Sequence, residues 1–570
     1  MQSARLANGP ERRTDWDTID WRRAHRIVRN LRARIFRATR AGEVKKARSL
    51  QKLMLRSYSN ILLSVRRVTQ TNAGKRTPGV DNILVKTPRA RGEMVDRLST
   101  YQPWRSKPVR RVYILKSNGK QRPLGIPTIQ DRCLQAIVKN ALEPEWEARF
   151  EGSSYGFRPG RGCQDAIAKI YLLCLPHKRK KWILDTDIQG AYDNIDHGFL
   201  LKTIGQAPGR ELVRQWLKAG VMEERVFHET LLGTPQGGVI SPLLLNIALH
   251  GMEAALGVRL DTKGRIEGRR AVVRYADDEV VCCESQKDAQ CVKEDFADWL
   301  AERGLFLSEE KTRIVHLTEG FDFLGFTIRH FPSPQTTRTG YKLLIRPSKK
   351  AVNALRQKLR EAWRELRGHS IQAVLWRLNP IIRGWANYYR TVVTTRTISY
   401  LDHRMYRRAL RYARRTHPNK SKKWLQKRYW GQLNPEREDR WVFGDKRPDK
   451  HGRFHYLLKF SWFKIVRHIL VKGTSSPDDA SLREYWWARR KVNVRHLSTK
   501  DVHLANNQDW TCPICVEALI NGEPLERHHI IARADGGSAV RSNRVLVHLY
   551  CHQQATAAWR KGRRMSGKES

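Results

Sequence analysis

The sequence predicts an α+β protein of several domains, in which helical segments flank a central sheet domain. Residues 76–330 alternate β-branched, strand-like runs with amphipathic helical segments, a pattern typical of a mixed or antiparallel sheet with helices packed on it. Before and after this region, apolar residues recur at helical spacing. The length of 570 residues favours roughly three to four domains.

The chain is strongly basic. Lys and Arg together number 108 against 56 Asp and Glu, which gives a formal net charge of +52. Such an excess repels itself in a compact fold and is useful mainly to a protein that binds a polyanion. Nucleic acid is the leading candidate, and an anionic membrane surface is the alternative.

The sequence contains no evident membrane or secretion segment. A run of about 18 apolar residues is absent, so no transmembrane helix is expected, and the first thirty residues lack the apolar core of a secretory signal. The nine cysteines form no paired framework, which favours a reducing compartment. We expect a cytoplasmic, nucleoid-associated bacterial protein without a membrane partner. An organelle location and the oligomeric state stay open.

The individual elements follow from local patterns. Ala24, Val28, Leu31 and Ile35 fall on one face of a first basic helix, which Gly42 ends. Later elements are a second basic helix to residue 68, a strand from Val109 to Leu115, a hairpin turn at Ser117–Lys120, a helix from Asp288 to Gly304 and a strand from Phe321 to Phe326.

Residues 401–430 combine basic and aromatic side chains. They contain eleven Lys or Arg and one acid, Asp402. Such a mixture can bind phosphates and stack on bases. The alternative is a basic helix whose aromatic residues face a core. The interleaved aromatic residues are Tyr406, Tyr412, Trp424, Tyr429 and Trp430.

Two clusters of carboxylates lie far apart in the sequence but in similar settings. Asp187 ends the apolar run that begins at Ile183. Asp277 and Asp278 lie between two β-branched runs, as expected for the tip of a hairpin. Carboxylates gathered at a cleft suit two Mg²⁺ ions, and Ile188 can add a backbone carbonyl. This pattern indicates nucleotidyl transfer on a polymerase sheet.

Nearby segments supply candidate nucleotide contacts. Lys116 and Arg122 are suited to hold a triphosphate. Gln236 offers an amide for a base or sugar, and the glycines around it, including Gly237, permit close backbone approach. Taken singly, each cation is as well explained by an ordinary surface charge.

The C-terminal cysteines have the spacing of metal ligands. Cys512 and Cys515 form one pair, and His548 and Cys551 form a second pair after 32 intervening residues. Three thiolates and one imidazole suit tetrahedral Zn²⁺.

The ordered motifs resemble the reverse transcriptase–maturases encoded within group II introns. The resemblance implies a right-hand fold with fingers, palm and a helical thumb or maturase domain, and binding of intron RNA and dNTPs. It also implies that an aromatic ring at Tyr192, where the family often has Phe, excludes ribonucleotides. The matching segments are Thr77–Asp81, Arg122–Pro127, Ser154–Pro159, Asp187–Ile188 with Asn194–His197, Thr234–Pro242, Tyr275–Asp278, Leu307–Thr312, Phe321–Phe326 and Leu378–Tyr389.

The C-terminal segment resembles an HNH nuclease, a zinc-stabilised ββα fold. The resemblance implies His529 as general base, His528 and His552 as ligands of a catalytic divalent ion, with Mg²⁺ favoured, and Asn543 as the residue that orients the loop of the base. A zinc module that binds DNA without cutting it is the alternative. Ala532 replaces a proline that is usual after the histidine pair.

Together these features predict a mobile-intron protein that promotes splicing of its intron RNA, nicks target DNA and copies the RNA from the nick. The rivals are a maturase that has lost polymerisation, and a zinc-dependent nuclease with a passive RNA clamp. The expected segments are a basic helical extension (1–75), fingers and palm (76–330), thumb (331–440), a DNA-binding region (441–505) and the HNH domain (506–570). In the DNA-binding region the compatible residues are Trp486, Trp487, Arg489, Arg490 and Lys491, and a plain basic helix or loop explains them equally well.

Overall fold

A computed structural model describes residues 13–100, 104–115, 119, 121–224, 226–261, 266–335, 338–448, 452, 454–492, 497–521 and 523–566. Lys116 and three residues of the expected hairpin turn, Ser117, Asn118 and Lys120, lie outside the described residues.

The chain begins with a helical unit that buries one face of each long helix. Asp20 caps the first helix by accepting from Arg23 N at 2.9 Å, and Ala24, Val28, Leu31 and Ile35 are all buried on its inner face. A π-helical turn, Arg67–Thr71, follows the third helix. The helices are α1 (Trp21–Arg40), α2 (Val44–Arg56), α3 (Tyr58–Arg66) and α4 (Pro88–Ser99).

The central region contains two four-stranded sheets and the helices packed on them. Its elements are β1 (Val109–Leu115), β2 (Gln121–Ile126), α5 (Ile129–Glu147), α6 (Cys163–Leu173), β3 (Trp182–Asp187), α7 (Ala191–Asn194), α8 (His197–Ile204), α9 (Arg210–Leu217), β4 (Val221–Glu223), β5 (Val226–His228), α10 (Ser241–Ala248), α11 (Met252–Ala255), β6 (Ala271–Tyr275), β7 (Asp278–Cys283), α12 (Gln286–Ala301) and β8 (Arg313–His316).

The principal sheet has the strand order β6-β7-β3-β8, and all its pairings are antiparallel. Its strands are rich in Val, Ile and Cys because both faces are covered by helices, and β7 is buried from Glu279 to Cys283. The second sheet has the order β2-β1-β4-β5, in which β1 and β4 run parallel. The expected strand Val109–Leu115 and the helix near residues 288–304 are both present.

The expected strand from Phe321 to Phe326 is wrong in one respect. A tight turn at Leu324 and Gly325, with φ of +49° and +82°, divides it into two strands. These strands pair in an antiparallel sheet of order β11-β10-β9, formed by β9 (Phe321–Phe323), β10 (Phe326–Pro332) and β11 (Tyr341–Pro347).

Helices dominate the next region and share a core of their own. Within residues 401–430, Tyr412, Tyr429 and Trp430 are buried in that core, which favours the core-facing alternative for these three rings, whereas Trp424 remains 36% exposed. The elements are α13 (Lys349–Glu365), α14 (Ile371–Tyr389), α15 (Thr395–Thr416), α16 (Lys422–Tyr429), β12 (Trp430–Gly431), β13 (Val442–Asp445) and β14 (His455–Tyr456).

The segment from residue 460 to α17 (Arg483–Val492) runs back across the central region. Asp165, on α6, accepts from His468 Nε2 and Val471 N at 2.9 Å each and forms a salt bridge with Arg489 at 2.5 Å. Trp486 is buried, and it packs so closely that a Cβ on Gly160 would lie 2.4 Å from its ring. Two of the side chains expected to contact DNA, Trp486 and Arg489, are therefore engaged inside the protein.

The chain ends in a small unit that packs on the N-terminal helices. Cys512, Cys515 and Cys551 belong to the same apolar cluster as Trp21 and Val65. No helix in the described ranges combines the length and apolar character needed to cross a bilayer. The elements of the unit are α18 (Thr499–Asn507), β15 (Leu525–His529), β16 (Arg544–His548) and α19 (Leu549–Ser566).

Candidate active sites

The two carboxylate clusters meet at one end of the principal sheet. Asp187, the last residue of β3, pairs in register with Asp278, the first residue of β7. Tyr275 pairs with Asp278 in the adjacent hairpin, so Ala276 and Asp277 form its two-residue turn. Asp187 and Asp278, 91 positions apart in the sequence, thus face one another because β3 lies beside the hairpin.

The hairpin turn depends on tightly fitted neighbours. Ala276 has φ of +61°, which is unusual for a residue with a side chain. A Cβ on Gly156 would lie 2.3 Å from Ala276 N, so glycine is required beside the turn. Arg274 is 2% exposed and donates to Asn246 Oδ1 at 3.0 Å. The Ser154–Pro159 motif therefore supports the turn that carries Asp277.

Burial and neighbouring acids raise the pKa values of Asp185, Asp277 and Asp278. Burial, followed by Asp277, Asp187 and Asp185, raises the pKa of Asp278 to about 7. Burial also raises the pKa of Asp277, with Asp187 adding to the effect, and it raises the pKa of Asp185 to about 6. Carboxylates in this situation are stabilised in their charged form by a bound cation.

One cation of the protein already reaches this site. Lys311 Nζ lies 2.6 Å from Asp187 Oδ2. The backbone nearby is fixed because Ser308 N donates to the Asp187 carbonyl at 2.8 Å and the buried Ile188 pairs with Leu307.

The candidate nucleotide contacts form a connected group. Arg122 Nε donates to Gln236 Oε1 at 2.7 Å, and Gln236 Nε2 donates to Asp193 Oδ2 at 3.2 Å. Gly237 has φ of +130°, and a Cβ there would lie 2.7 Å from the Gly125 carbonyl oxygen. These hydrogen bonds hold the side chains of Arg122 and Gln236 together, with Arg122 exposed to solvent.

Tyr192 lies near both this group and the acids. Its side chain is 7% exposed, and its carbonyl accepts from Thr234 N at 2.6 Å. Burial, together with the nearby Asp277, raises the pKa of its hydroxyl. The structure thus brings Tyr192 near both Arg122 and Asp277.

A second site is formed by three cysteines and one histidine. The ligand atoms of Cys512, Cys515, His548 and Cys551 all lie within 4.8 Å of one another, and all four residues are buried. His548 Nδ1 is 3.3 Å from Cys515 Sγ, while its Nε2 faces the Ala518 carbonyl at 3.2 Å. That second contact orients the ring toward the sulfurs. The donor set fits one Zn²⁺ ion.

The other three histidines predicted for the nuclease site lie near this cluster, His528 and His529 on β15 and His552 on α19. The rings of His528 and His552 are 5.1 Å apart, and His552 Nδ1 contacts the Glu526 carboxylate. Burial lowers the pKa of both His528 and His529, and neighbouring charged groups lower them further. Both imidazoles are therefore neutral near pH 7.

Asn543 fixes the loop that follows His529. Its Oδ1 accepts from Ile531 N at 2.8 Å, and its Nδ2 donates to the carbonyls of Ile531 at 3.1 Å and Ser538 at 2.8 Å. A single buried amide thus connects both ends of the loop from 531 to 538.

A cationic groove of about 740 Å³ lies between α13 and α15. Its base contains Trp363 and Tyr412. No carboxylate lines the groove, and none of its guanidinium groups forms an ion pair within the described ranges. Burial, together with four neighbouring arginines, lowers the pKa of Arg408. We name this feature the arginine groove. It is lined by Arg360, Arg364, Arg367, Arg404, Arg408, Arg411 and Arg415.

Four family models match consecutive parts of the chain. They are the N-terminal domain of reverse transcriptase at residues 16–98, reverse transcriptase (RNA-dependent DNA polymerase) at 114–328, the group II intron maturase-specific domain at 352–430 and HNH endonuclease at 512–558.

Three curated proteins are similar to parts of this chain. Protein YkfC of Escherichia coli K12 is 35% identical over 305 residues, which cover 46% of this chain and 79% of YkfC. The group II intron-encoded protein LtrA of Lactococcus lactis is 32% identical over 329 residues, covering 46% of this chain and 53% of LtrA. Maturase-like protein 1 of Euglena gracilis is 26% identical over 394 residues, which cover 67% of this chain and 78% of that protein.

The chain belongs to the group II intron-encoded reverse transcriptase–maturase family. The resemblance drawn from the ordered motifs is thus confirmed, including the C-terminal HNH domain. As a member of this family it carries the domains of an RNA-directed DNA polymerase and of a DNA endonuclease. The roles of individual residues in this reverse transcriptase–maturase stay predictions.

Sequence reasoning missed three residues near these sites. Lys311 stood in the Leu307–Thr312 motif without an assigned role, and it reaches Asp187 across 124 residues of sequence, so no local pattern indicated the contact. Glu526 precedes the histidine pair on β15 by two residues and therefore projects to the same side as His528. The third is Arg66, and no residue near it in the sequence indicates its contact with Cys551.

Proposed function

We propose that this protein is a multifunctional mobile-intron enzyme. It copies RNA into DNA at the principal sheet, binds its own intron RNA to assist splicing, and nicks target DNA at the C-terminal unit to provide the primer. The observation that carries the proposal is the in-register pairing of Asp187 with Asp278 beside the Asp277 turn.

The proposed architecture is a right hand. Residues 76–330 would form fingers and palm, residues 331–440 the thumb, and residues 506–570 the HNH domain, with 1–75 as a basic helical extension and 441–505 as the connection between thumb and nuclease. The separate core that extends from Leu355 to Phe460 supports a thumb that is distinct from the sheet domain.

The polymerase site fits two Mg²⁺ ions because its carboxylates repel one another. Lys311, the lysine that pairs with Asp187, has a side chain that is 60% exposed and is therefore a weak counter-charge. Asp187, Asp277 and Asp278, with the Ile188 carbonyl, would hold the metals. When bound, the ions would activate the primer 3′-hydroxyl and stabilise the pyrophosphate leaving group.

Other side chains would position the incoming nucleotide. Arg122, which Gln236 orients, would bind the triphosphate, and Lys116 is proposed for the same task. Gly237 would let the backbone approach the nascent pair. Tyr192 would close the space next to the ribose 2′ position and so favour dNTPs.

At the nuclease site, His529 would take a proton from the attacking water, since its imidazole is neutral near pH 7. His528 and His552 would hold a divalent ion, Mg²⁺ by preference, and Glu526 would orient His552. Asn543 would keep the loop of the base in place. Cys512, Cys515, His548 and Cys551 would bind a structural Zn²⁺.

The arginine groove is the proposed contact for intron RNA. Seven guanidinium groups without carboxylate partners repel one another unless an anion is present, and a phosphodiester backbone supplies charges at suitable spacing. The single acid of residues 401–430 is used elsewhere, because Asp402 accepts from Phe460 N at 2.7 Å and Ser461 N at 3.0 Å.

The experiment compares wild type with Asp277→Asn and His529→Ala in two assays, extension of a DNA primer on an RNA template and nicking of a supercoiled plasmid. Wild type is expected to perform both, Asp277→Asn only nicking, and His529→Ala only extension. A wild-type protein that promotes intron splicing but makes no cDNA would instead identify a maturase without polymerisation. Loss of both activities from either change would contradict two separate sites.

A further inference from the structure

The Cys/His cluster is contacted by an arginine from the opposite end of the chain. Arg66, the last residue of α3, donates from Nη2 to Cys551 Sγ at 3.7 Å, across 485 residues of sequence. The same nitrogen donates to Glu523 Oε2 at 3.0 Å. Arg66 is 3% exposed, and its guanidinium carbon lies 4.6 Å from the centroid of the Trp21 ring. The guanidinium is thus held on both sides, by α1 and by the C-terminal unit.

The surrounding interface fixes this contact. Lys75 Nζ donates to Tyr550 Oη at 2.8 Å, next to Cys551 in sequence. Gln554 Nε2 donates to the carbonyls of Asp17 at 3.0 Å and Ile19 at 2.8 Å. Together with the shared apolar cluster, these bonds dock the C-terminal unit onto the N-terminal helices over a continuous surface.

The charge of a loaded site explains why an arginine is placed there. Three thiolates, one neutral imidazole and one Zn²⁺ ion carry a net charge of −1, and a buried net charge is costly unless it is paired. Arginine remains protonated at any accessible pH, so its contribution does not vary with conditions. An N–H donor to sulfur also stabilises the thiolate form that binds metal.

We infer that Arg66 is a positioning residue of the metal centre, so that the N-terminal helices complete the zinc site of the C-terminal nuclease unit. The inference rests on the proposed zinc site. Its consequence is that metal retention depends on the docked state of two segments at opposite ends of the chain.

The test uses the full-length protein loaded with zinc. Release of zinc to a colorimetric chelator is measured for wild type, Arg66→Met and Arg66→Lys, and the absorption spectrum is recorded after substitution with Co²⁺. Arg66→Met keeps the packing against Trp21 but removes every donor. We expect it to weaken metal retention by about 10- to 100-fold and to move the thiolate-to-cobalt band to lower energy. Arg66→Lys is expected to restore part of both.

A matched control separates this role from general destabilisation. Arg32→Met removes another arginine of the same helical unit, one that binds Glu143 at 2.9 Å and Asp478 at 2.7 Å instead of the cluster. It should leave zinc release and the cobalt spectrum as in wild type. Glu523→Gln weakens the other contact of Arg66 from the opposite side of the interface. It should speed zinc release less than Arg66→Met does, and it provides a test even if Arg66→Met does not fold.

Three outcomes would overturn the inference. They are wild-type release and spectra for both Arg66→Met and Glu523→Gln, equal acceleration by Arg32→Met, and a wild-type protein that binds no zinc. The last outcome would also remove the proposed zinc site, whereas the first two would leave that site intact.

Discussion

Lys311 Nζ lies 2.6 Å from Asp187 Oδ2. Asp187 is the β3 residue that pairs with Asp278 across the sheet. The ammonium group therefore touches the site at which the proposed metals would bind. A divalent ion on Asp187 would replace this ion pair and leave the exposed lysine side chain available to a triphosphate. This contact makes Lys311 a candidate for a direct part in the reaction.

Lys311→Ala is expected to lower the rate of primer extension by about 100-fold, because a positioned cation at a developing negative charge is lost. The measurement is single-nucleotide extension at saturating dNTP. Lys287→Ala, which removes an exposed lysine on α12, should have no effect. Extension by Lys311→Ala at the wild-type rate would exclude the role.

The pKa of Asp278, about 7, predicts a pH-dependent response to magnesium. The folded protein binds the Asp278 proton more tightly than the unfolded chain does. The contribution of Asp278 to the free energy of unfolding therefore falls as the pH rises from about 4 to 7. Above pH 7 the Asp278 carboxylate is ionised and destabilises the folded state, and a bound cation can offset this destabilisation. Magnesium should therefore raise the Tm more at pH 8 than at pH 6.

Thermal unfolding of Asp278→Asn provides the comparison. In chelator at pH 8 the variant should melt at a higher temperature than wild type, by about 2 °C or more, and its response to magnesium should be reduced at both pH values. Asp298→Asn, which changes an exposed acid on α12, should behave as wild type. A magnesium response of equal size at pH 6 and pH 8 would contradict the argument.

Local patterns predicted the elements that carry the polymerase acids. The β-branched runs before Asp187 and around Asp277 and Asp278 indicated strands and a hairpin, and the structure has them. The strand expected from Phe321 to Phe326 failed because Leu324 and Gly325 adopt positive φ, and Leu324 carries no residue-type signal for that conformation.

Contacts between distant segments were beyond sequence reasoning. Nothing near Arg66 indicates Cys551 as its partner, and nothing near Trp486 indicates that it packs on Gly160. The core-facing position of Tyr412 was available, because Leu401, Met405 and Ala409 lead to it at helical spacing. The helical spacing of these apolar residues was therefore a better guide to the position of Tyr412 than the positive charge of residues 401–430.

Tyr192→Ala should admit ribonucleotides, because the ring is buried beside Asp277 and borders the proposed sugar position. The expected change in the dNTP-to-rNTP preference is at least about tenfold, measured by competitive primer extension. Tyr192 also belongs to the main core, so the substitution should cost about 3–5 kcal/mol of stability.

Tyr192→Phe is the control for this effect. It preserves the ring and the packing, and it should discriminate as wild type does. Unchanged discrimination in Tyr192→Ala protein that still incorporates dNTPs would remove Tyr192 from the selection of the sugar.

The double substitution Arg404→Gln/Arg408→Gln should weaken binding of structured intron RNA and reduce the slope of log affinity against log salt by about 2, one for each lost phosphate contact. Filter binding across a salt series measures both. Plasmid nicking should be retained, because the arginine groove is formed by helices outside the C-terminal unit.

The matched control is Arg89→Gln/Arg214→Gln, which removes the same charge from two surface arginines already paired with Glu93 at 2.9 Å and Glu211 at 2.6 Å. It should leave the salt slope nearly unchanged. Equal loss of affinity in the two double variants would mean that net charge alone, and not the groove, governs RNA binding.

Asn543→Ala should lower plasmid nicking by about 10- to 100-fold while primer extension is unchanged. Three hydrogen bonds from this buried amide join both ends of the loop that follows His529, so their loss lets the proposed base move. Asn507→Ala, at an exposed position on α18, should retain nicking. Because the Asn543 side chain bonds the loop and not the Cys/His cluster, zinc content should also stay at the wild-type level. A variant that loses zinc would instead indicate collapse of the whole unit.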